Sequence, residues 1–301
     1  MRTADRIVVG IVVLVTLSVA GPGSATPSSV PAGARLLDDG RIAYALRSSS
    51  PDWVTPELLA QARQGPTPAP AAAAPDVPAS GFVGIRPGSF EVAPYGCTMD
   101  FIFQKGGQYF IGTAGHCVDH MGDDVTLLTV APGTENPVLV DIGTVVARKF
   151  SDARIAPDYA IVSIRPELTP WVFPTIAVIG GPCGAYTGSG LAQIPIPRIF
   201  RGQDSAIGPE QVVHYGHGLG IGTGGTPRTG VSLYWESNAY YWDSPSIFGD
   251  SGSPVRVSNL QAAGNLTDLV VDSRRPGAVV EGTRISEFLA AGYSLVDSPY
   301  C

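Results

Sequence analysis

Short apolar runs, separated by glycines and prolines, fill the chain from about residue 81 to its C-terminus. Such runs with turn residues between them predict β-strands. No amphipathic pattern of three helical turns interrupts them before residues 286–296, and this favours an antiparallel sandwich or barrel over a parallel α/β sheet. The predicted strands comprise residues 101–103, 109–111, 125–130, 138–147, 159–164, 176–179, 211–215, 231–235 and 269–271.

A different pattern occupies residues 1–25, which have the layout of a secretory signal peptide. An apolar run, residues 7–20, follows Arg6 and precedes small residues and proline. As a helix this run would rise about 21 Å, which is short of a hydrocarbon core of about 30 Å. The sequence therefore predicts export, cleavage after Ala20 or Ala25, and no stable membrane insertion afterwards.

Residues 26–80 are predicted to form a prosegment and a linker. Residues 52–64 fit one short helix, with Thr55 as its N-cap and Pro56 at the first helical position. The stretch 65–80 contains five prolines and six alanines, a composition that cannot bury a core and is typical of a linker. This division assigns the functional unit to residues 81–301.

The charge of the chain argues against binding to polyanions. The formal net charge is -7, only 15% of residues are charged, and the lysines are limited to Lys105 and Lys149. A basic surface for nucleic acid or an anionic membrane cannot be assembled from this composition. We therefore predict no nucleic-acid partner.

The four cysteines are predicted to form two disulfides rather than a metal site. No Cys-x-x-Cys spacing is present, and an exported chain folds in an oxidising compartment. The sequence alone permits three pairings of Cys97, Cys117, Cys183 and Cys301.

Three segments carry residues suited to nucleophilic catalysis. His116 ends an apolar strand in TAGHC, Asp158 precedes the apolar run YAIV, and Ser251 lies in the glycine-rich turn GDSGSP. A serine hydroxyl is a poor nucleophile at neutral pH, so an imidazole must take its proton and a buried carboxylate must orient that imidazole. The N–H groups of Gly249 and Ser251 could then stabilise a developing oxyanion.

Other arrangements of these residue types fit the sequence less well. An α/β-hydrolase needs its histidine after the nucleophile, whereas all four histidines precede Ser251. Asp141 and Asp152 compete with Asp158 because they too lie between His116 and Ser251, but only Asp158 directly precedes an apolar strand that would bury it.

A zinc site is a further alternative. His120 lies four residues after His116, and His214 lies three before His217. The glutamate of an H-E-x-x-H motif is missing, so no metal and no cofactor is predicted. Cys117 is disfavoured as a nucleophile because a disulfide would remove its thiolate.

The motifs TAGHC and GDSGSP, with Asp158 between them, resemble those of the trypsin/chymotrypsin-like serine endopeptidases. The resemblance covers residues from about 81 to 301, and the scarcity of lysine is similar to that of secreted bacterial members. The family has glycine where this chain has Ser253. The resemblance implies an all-β fold of two antiparallel six-stranded barrels, at about residues 81–175 and 185–301, with a short C-terminal helix.

The resemblance also implies roles for particular residues. Ser251 would be the nucleophile, His116 the general base and then acid, and Asp158 its orienting carboxylate. It implies disulfides Cys97–Cys117 and Cys183–Cys301. The primary substrate pocket would have a floor around Ser244, Pro245 and Ser246 and walls formed by Asn265, Leu266, Thr267 and Gly282. No acidic residue occupies that floor, which favours an apolar or small residue before the scissile bond.

The function that follows is secreted hydrolysis of peptide bonds by an enzyme made as a precursor, with a polypeptide as substrate. Its own prosegment is a second candidate partner. In the family, a new N-terminus often pairs with the aspartate before the nucleophile, here Asp250, and cleavage near Gly81 would create one. The alternatives are a catalytically silent protease-like binding module and a metal-dependent hydrolase.

Overall fold

The computed structural model describes residues 33–68, 83–195, 205–218, 225–271 and 278–301. The predicted signal peptide lies outside the described residues, as do residues 69–80 of the predicted linker. Within the described ranges, no helix has both the length and the apolar character needed to cross a membrane.

The first segment of the described chain, residues 33–68, adds strands to both halves of the fold. Its helix α1 (Pro56–Ala62) begins at Thr55, whose hydroxyl accepts a hydrogen bond from Leu58 N, as the sequence predicts. This segment belongs to the same compact unit as the barrels. Its strands are β1 (Ala34–Leu36), β2 (Ile42–Ala45), β3 (Ser48–Ser49) and β4 (Thr67–Pro68).

The first barrel is a ring of antiparallel strands. The pairings run β6–β5–β9–β10–β11–β8–β7. β6 and β7 are the two halves of one bent strand, because Met99 N donates to Ser89 O beside β5 and Asp100 N donates to Gly112 O of β8. The ring therefore closes with six strands. The strands are β5 (Phe90–Ala93), β6 (Tyr95–Thr98), β7 (Ile102–Lys105), β8 (Gln108–Thr113), β9 (Asp124–Val130), β10 (Pro137–Lys149) and β11 (Tyr159–Ser163).

Both faces of several strands in this barrel are buried, which explains their continuous apolar sequences. Ile111 and Val162 point into a cluster inside the barrel. Their neighbours Phe110 and Ile161 belong to a second cluster that includes Phe288. Because successive side chains of a strand alternate between faces, an apolar run supplies both clusters at once.

The second barrel also closes. A separate hairpin, β12 (Leu191–Pro195) and β13 (Ser205–Pro209), precedes it. The pairings then run β18–β17–β14–β15–β16–β19, and β19 pairs back with β18. The strands are β14 (Gln211–Gly216), β15 (Thr226–Trp235), β16 (Ala239–Asp243), β17 (Pro254–Val257), β18 (Ala262–Val271) and β19 (Ala278–Arg284).

The C-terminus returns to the first barrel. Helix α2 (Ile285–Ala290) follows β19, and β20 (Ser294–Leu295) pairs with β7. The two antiparallel six-stranded barrels and the short C-terminal helix implied by the resemblance are thus confirmed.

Two local predictions were wrong. Residues 176–179 form no strand, because Ile176 N hydrogen-bonds to Gly181 O across a turn in which Gly180 has φ of 69°. The C-terminal helix is also shorter than the predicted 286–296. It ends at Ala290, and Gly292 adopts a left-handed conformation with φ of 82° that leads into β20.

The strands β2 and β3 reach the two barrels separately. β2 pairs with β18 of the second barrel, and β3 pairs with β6 of the first. The residues between them, Leu46 and Arg47, therefore cross from one barrel to the other. The division of the chain at residue 80 stays a prediction, and the described part of the predicted prosegment packs as an element of the fold.

His217 should make the protein less stable in acid. Burial lowers the pKa of His217 to about 3, and its Nε2 donates to Gly88 O at 2.7 Å. In the unfolded chain this imidazole takes up a proton near pH 6.5. As pH falls from about 6.5 toward 3 the unfolded state therefore binds more protons, and the stabilisation from a neutral His217 is lost at up to about 1.4 kcal/mol per pH unit.

Urea unfolding between pH 7 and 4 checks this expectation. Relative to wild type, His217→Asn should show a free energy of unfolding that falls less steeply by the equivalent of about one proton. The matched control is His120→Asn, because His120 is exposed. Parallel pH profiles for wild type and His217→Asn would show that His217 does not titrate in this way.

Candidate active site

His116 and Asp158 are brought together by two neighbouring strands of the first barrel. β8 and β11 pair antiparallel, so the residues after β8 lie beside the residue before β11. His116 occupies a 3-10 turn, Gly115–Cys117, directly beyond β8, and Asp158 immediately precedes β11. Two residues 42 positions apart thereby become neighbours.

Ser251 comes from the second barrel, in the turn between β16 and β17. This turn touches the first barrel, because Thr98 N donates to Ser251 O at 2.8 Å. Gly252 permits the approach. Its φ is 86°, and a Cβ at this position would collide with the carbonyl oxygen of Thr98. A larger residue at 252 would push the two barrels apart at the site.

The three side chains form one chain of hydrogen bonds. His116 Nδ1 lies 2.7 Å from Asp158 Oδ2, and His116 Nε2 lies 2.7 Å from Ser251 Oγ. A second contact fixes the carboxylate, because His116 N donates to Asp158 Oδ1 at 3.1 Å. The side chains of His116 and Asp158 are 2% and 0% exposed, so water does not compete for these bonds.

Residues of the second barrel also hydrogen-bond to the backbone of Asp158. Asn265 Nδ2 donates to the carbonyl oxygens of Thr113 and Asp158 at 3.3 and 3.2 Å. Asp158 N donates to Thr283 Oγ1 at 2.8 Å. Asn265, predicted as a pocket wall, thus lies buried between the barrels, where it links the strands that carry His116 and Asp158.

Two backbone donors converge beside Ser251. Gly249 N and Ser251 N both donate to one oxygen, the carbonyl of Leu46, at 2.6 and 3.1 Å. These are the two N–H groups predicted from the GDSGSP turn, and they converge as a site for a developing oxyanion requires. Leu46 lies in the predicted prosegment, residues 26–80, and no sequence signal indicated that it would occupy this position.

The other predicted pocket residues are placed around the same turn and on β18 and β19. Pro245 is exposed, and Ser244 and Ser246 are half-buried. Leu266 belongs to the buried apolar cluster of the second barrel. Thr267 O lies 2.9 Å from Ser251 Oγ, and Gly282 pairs with Leu266.

The carboxylate of Asp250, next to Ser251, already has a cationic partner inside the fold. Its Oδ1 accepts from Arg228 Nη1 at 2.6 Å and from Gly218 N at 2.8 Å, and its Oδ2 accepts from Ile247 N at 2.8 Å. Burial raises the pKa of Asp250, and Arg228 opposes that effect. A guanidinium therefore occupies the position that the resemblance assigned to a new N-terminus, and Phe82 lies outside the described residues.

Sequence reasoning missed an acidic residue at the site. Asp268 is fully buried, and its Oδ2 accepts from Arg35 Nη2 at 2.6 Å. The same guanidinium nitrogen lies 3.9 Å from Asp158 Oδ2. Burial raises the pKa of Asp268, which Arg35 lowers in part. One sequence feature pointed to Asp268, because this carboxylate interrupts the apolar run of β18. Its partner Arg35 could not be identified from the sequence, since it is 233 residues away.

The competing carboxylates lie elsewhere. Asp141 is buried on β10, where its Oδ1 accepts from Gly143 N at 3.0 Å. Asp152 is exposed. Of the three candidates, Asp158 is the one hydrogen-bonded to His116.

Both disulfides implied by the resemblance are present. Cys97 is bonded to Cys117, beside His116, and Cys183 to Cys301. Among the described residues, two groups have the spacing of metal ligands. One uses the sulfurs of Cys97 and Cys117, which are already bonded to each other. The other consists of His116, Asp158 and Asp268, which have the hydrogen bonds given above.

Comparison with models of protein families gave no match, and comparison with curated proteins gave none. Among solved structures, the chain is similar to Thermobifida fusca protease A, with 21% identity and a TM-score of 0.43 over 70% of this chain and 98% of that one. It is also similar to Cellulomonas bogoriensis chymotrypsin, with 18% identity and a TM-score of 0.43 over 70% and 99% of the two chains. A glutamic acid-specific serine protease has 17% identity and a TM-score of 0.44, over 70% and 100%. At these values the similarities carry no inference about function.

Proposed function

We propose that this protein is an exported serine endopeptidase, made as a precursor, that hydrolyses peptide bonds through an acyl-enzyme on Ser251. The observation that carries the proposal is the unbroken chain from Asp158 through His116 to Ser251, next to two convergent N–H donors. A nucleophile, its base, the orienting group and an oxyanion site are what acyl transfer requires.

Each group has a defined part in the reaction. Asp158 accepts the Nδ1 proton of His116, which leaves Nε2 free to take the proton of Ser251. Ser251 Oγ attacks the carbonyl carbon of the substrate, and Gly249 N and Ser251 N stabilise the oxyanion. His116 then returns the proton to the leaving amine, and water hydrolyses the ester by the same steps.

Export rests on the signal-peptide layout of residues 1–25 and on the two disulfides, which are typical of oxidising compartments. The proposed substrate is a polypeptide in extended conformation, because the edge of β18 beside Ser251 can pair with a strand.

A fluorophosphonate probe tests the proposal, because it reacts with a serine that an adjacent base has activated. Purified protein is incubated with the probe, and the adduct is located by mass spectrometry. We expect modification of Ser251 alone, and none in His116→Ala. Ser253→Ala is the matched control in the same turn and should still be labelled. A protein that remains unmodified after prolonged incubation would contradict the proposal.

A further inference from the structure

Residues 42–49, which we name the cleft segment, pass directly over Ser251. Their first half, β2, pairs antiparallel with β18, with Tyr44 opposite Leu269 and Ala45 opposite Asp268. Their second half, β3, pairs with β6, with Ser48 opposite Gly96. The segment is therefore bound as an extended strand on both sides of the nucleophile.

The peptide bond between Leu46 and Arg47 lies beside the nucleophile. The Leu46 carbonyl accepts from both Gly249 N and Ser251 N, and Leu46 N donates to Thr267 O at 3.2 Å. The carbonyl of Thr267 is also 2.9 Å from Ser251 Oγ. These contacts fix the carbonyl of Leu46 with its oxygen between the two donors, as for a group about to be attacked.

The side chains on either side of this bond are held as well. Leu46 is 2% exposed and belongs to the apolar cluster of the second barrel, with Trp242, Leu266 and Val280. Arg47 donates to the carbonyl oxygen of His116, and its guanidinium lies 3.9 Å from the centre of the Tyr95 ring. A medium-sized apolar side chain thus occupies the position before the bond, and a cation follows it.

We infer that the chain cuts itself between Leu46 and Arg47, and that the protease prefers leucine-like residues before the scissile bond. This inference rests on the proposed function. Ser251 Oγ bonds to the Leu46 carbonyl carbon, the bond to Arg47 N breaks, and His116 passes the serine proton to that nitrogen. One water molecule then hydrolyses the ester, which leaves a carboxylate on Leu46 and a free amine on Arg47.

The residues that flank the cleft segment are bound to different barrels on the two sides of the Leu46–Arg47 bond. After Arg47, Trp53, Val54 and Leu58 pack on the first barrel and would hold residues 47–68 in place. Before Leu46, the β1–β2 hairpin is held on the second barrel by Ala43, Leu37 and the Arg35–Asp268 ion pair. Cutting separates these two parts, and departure of the hairpin opens the cleft to other substrates.

The first test follows the N-terminus of the purified chain with time. We expect a new N-terminus at Arg47, formed at a rate that does not change on tenfold dilution because the reaction is intramolecular. Ser251→Ala should remain uncut, and Leu46→Asp should be cut at least about 100-fold more slowly because it places a charge in an apolar cluster. Leu36→Asp is the matched control, since Leu36 is 53% exposed in β1.

A second test does not depend on how the variants fold. The octapeptide IAYALRSS, which is residues 42–49, is compared with IAYADRSS as a substrate of the wild-type protein. We expect cleavage after leucine and a kcat/KM at least about 100-fold higher for the first peptide. Cleavage at another bond, or equal rates for both peptides, would overturn the preference for leucine.

The outcomes separate the two proposals. If the fluorophosphonate modifies Ser251 but no Arg47 N-terminus forms, the self-cleavage inference is wrong, while the proposed function stands. If the first new N-terminus lies near residue 81 instead, the inference is also wrong. If Ser251 is unmodified and neither the chain nor the peptide is cut, both proposals fall.

Discussion

Replacing Ser251 with alanine is expected to lower kcat for peptide hydrolysis by about 10⁶-fold, the size of effect seen when the nucleophile of such a triad is removed. The hydroxyl oxygen lies 2.7 Å from His116 Nε2, and alanine leaves the imidazole with no proton to take and the substrate with no attacking atom. Residual activity would come from substrate binding and the N–H groups of Gly249 and Ser251, which the change retains.

Ser253→Ala is the control for this experiment. Ser253 lies in the same turn and is fully buried. We expect its rate of hydrolysis to stay within about threefold of wild type, because the substitution removes no atom of the reacting chain. Loss of activity in both variants would mean that the turn is sensitive as a whole, and that Ser251 has no special role.

Asp158→Asn is expected to reduce kcat by about 10⁴-fold. The Asp158 carboxylate accepts the Nδ1 proton of His116 at 2.7 Å. An amide at this place can turn its NH₂ group toward Nδ1, which then becomes the acceptor. The imidazole proton moves to Nε2, and Ser251 loses its base. The shape of the site is retained, because asparagine and aspartate have nearly the same size.

Asp141→Asn distinguishes this effect from the general loss of a buried carboxylate. Asp141 is 4% exposed and also accepts a backbone hydrogen bond, from Gly143 N, which an asparagine oxygen can still accept. We expect its activity on a peptide substrate to equal that of wild type within a few-fold. Activity of Asp158→Asn within tenfold of wild type would show that Asp158 does not orient His116.

These two experiments and the self-cleavage test inform one another. A chain with Ser251→Ala should keep Leu46 joined to Arg47, and its cleft should stay covered by residues 42–49. Determining the N-terminus of each variant therefore shows which form is being assayed. Asp158→Asn should cut itself slowly, in proportion to its loss of kcat.

Much of the first barrel could be predicted because its strands are marked by short apolar runs between turn residues. The runs that became β8, β9, β10 and β11 each alternate between the apolar cluster inside the barrel and an apolar cluster outside it, so composition and turn residues alone predicted them. The second barrel was harder. The strands β16, β17 and β19 were not predicted. In β19 the apolar pattern is broken by Glu281 and Thr283, which are buried by contacts made far along the chain.

The residues of the candidate site likewise differ in whether the sequence alone could identify them. Spacing and residue type singled out His116, Asp158 and Ser251, because the chemistry of acyl transfer demands those groups in short motifs. The roles of Asn265, Asp268 and Arg228 could not be predicted in this way, because each depends on a partner that only the fold brings close. A buried polar group is explained only by the group that it meets.

The sequence by itself determined a β-rich chain, a likeness to serine endopeptidases, and the three residues of the proposed triad. Only the tertiary structure decided that residues 34–68 are part of both sheets and that the Leu46 carbonyl lies between Gly249 N and Ser251 N. The physical reason is that strand pairing is made by backbone groups, which every residue carries. No side-chain pattern in residues 42–49 distinguishes a strand that binds across a cleft from an ordinary part of a linker.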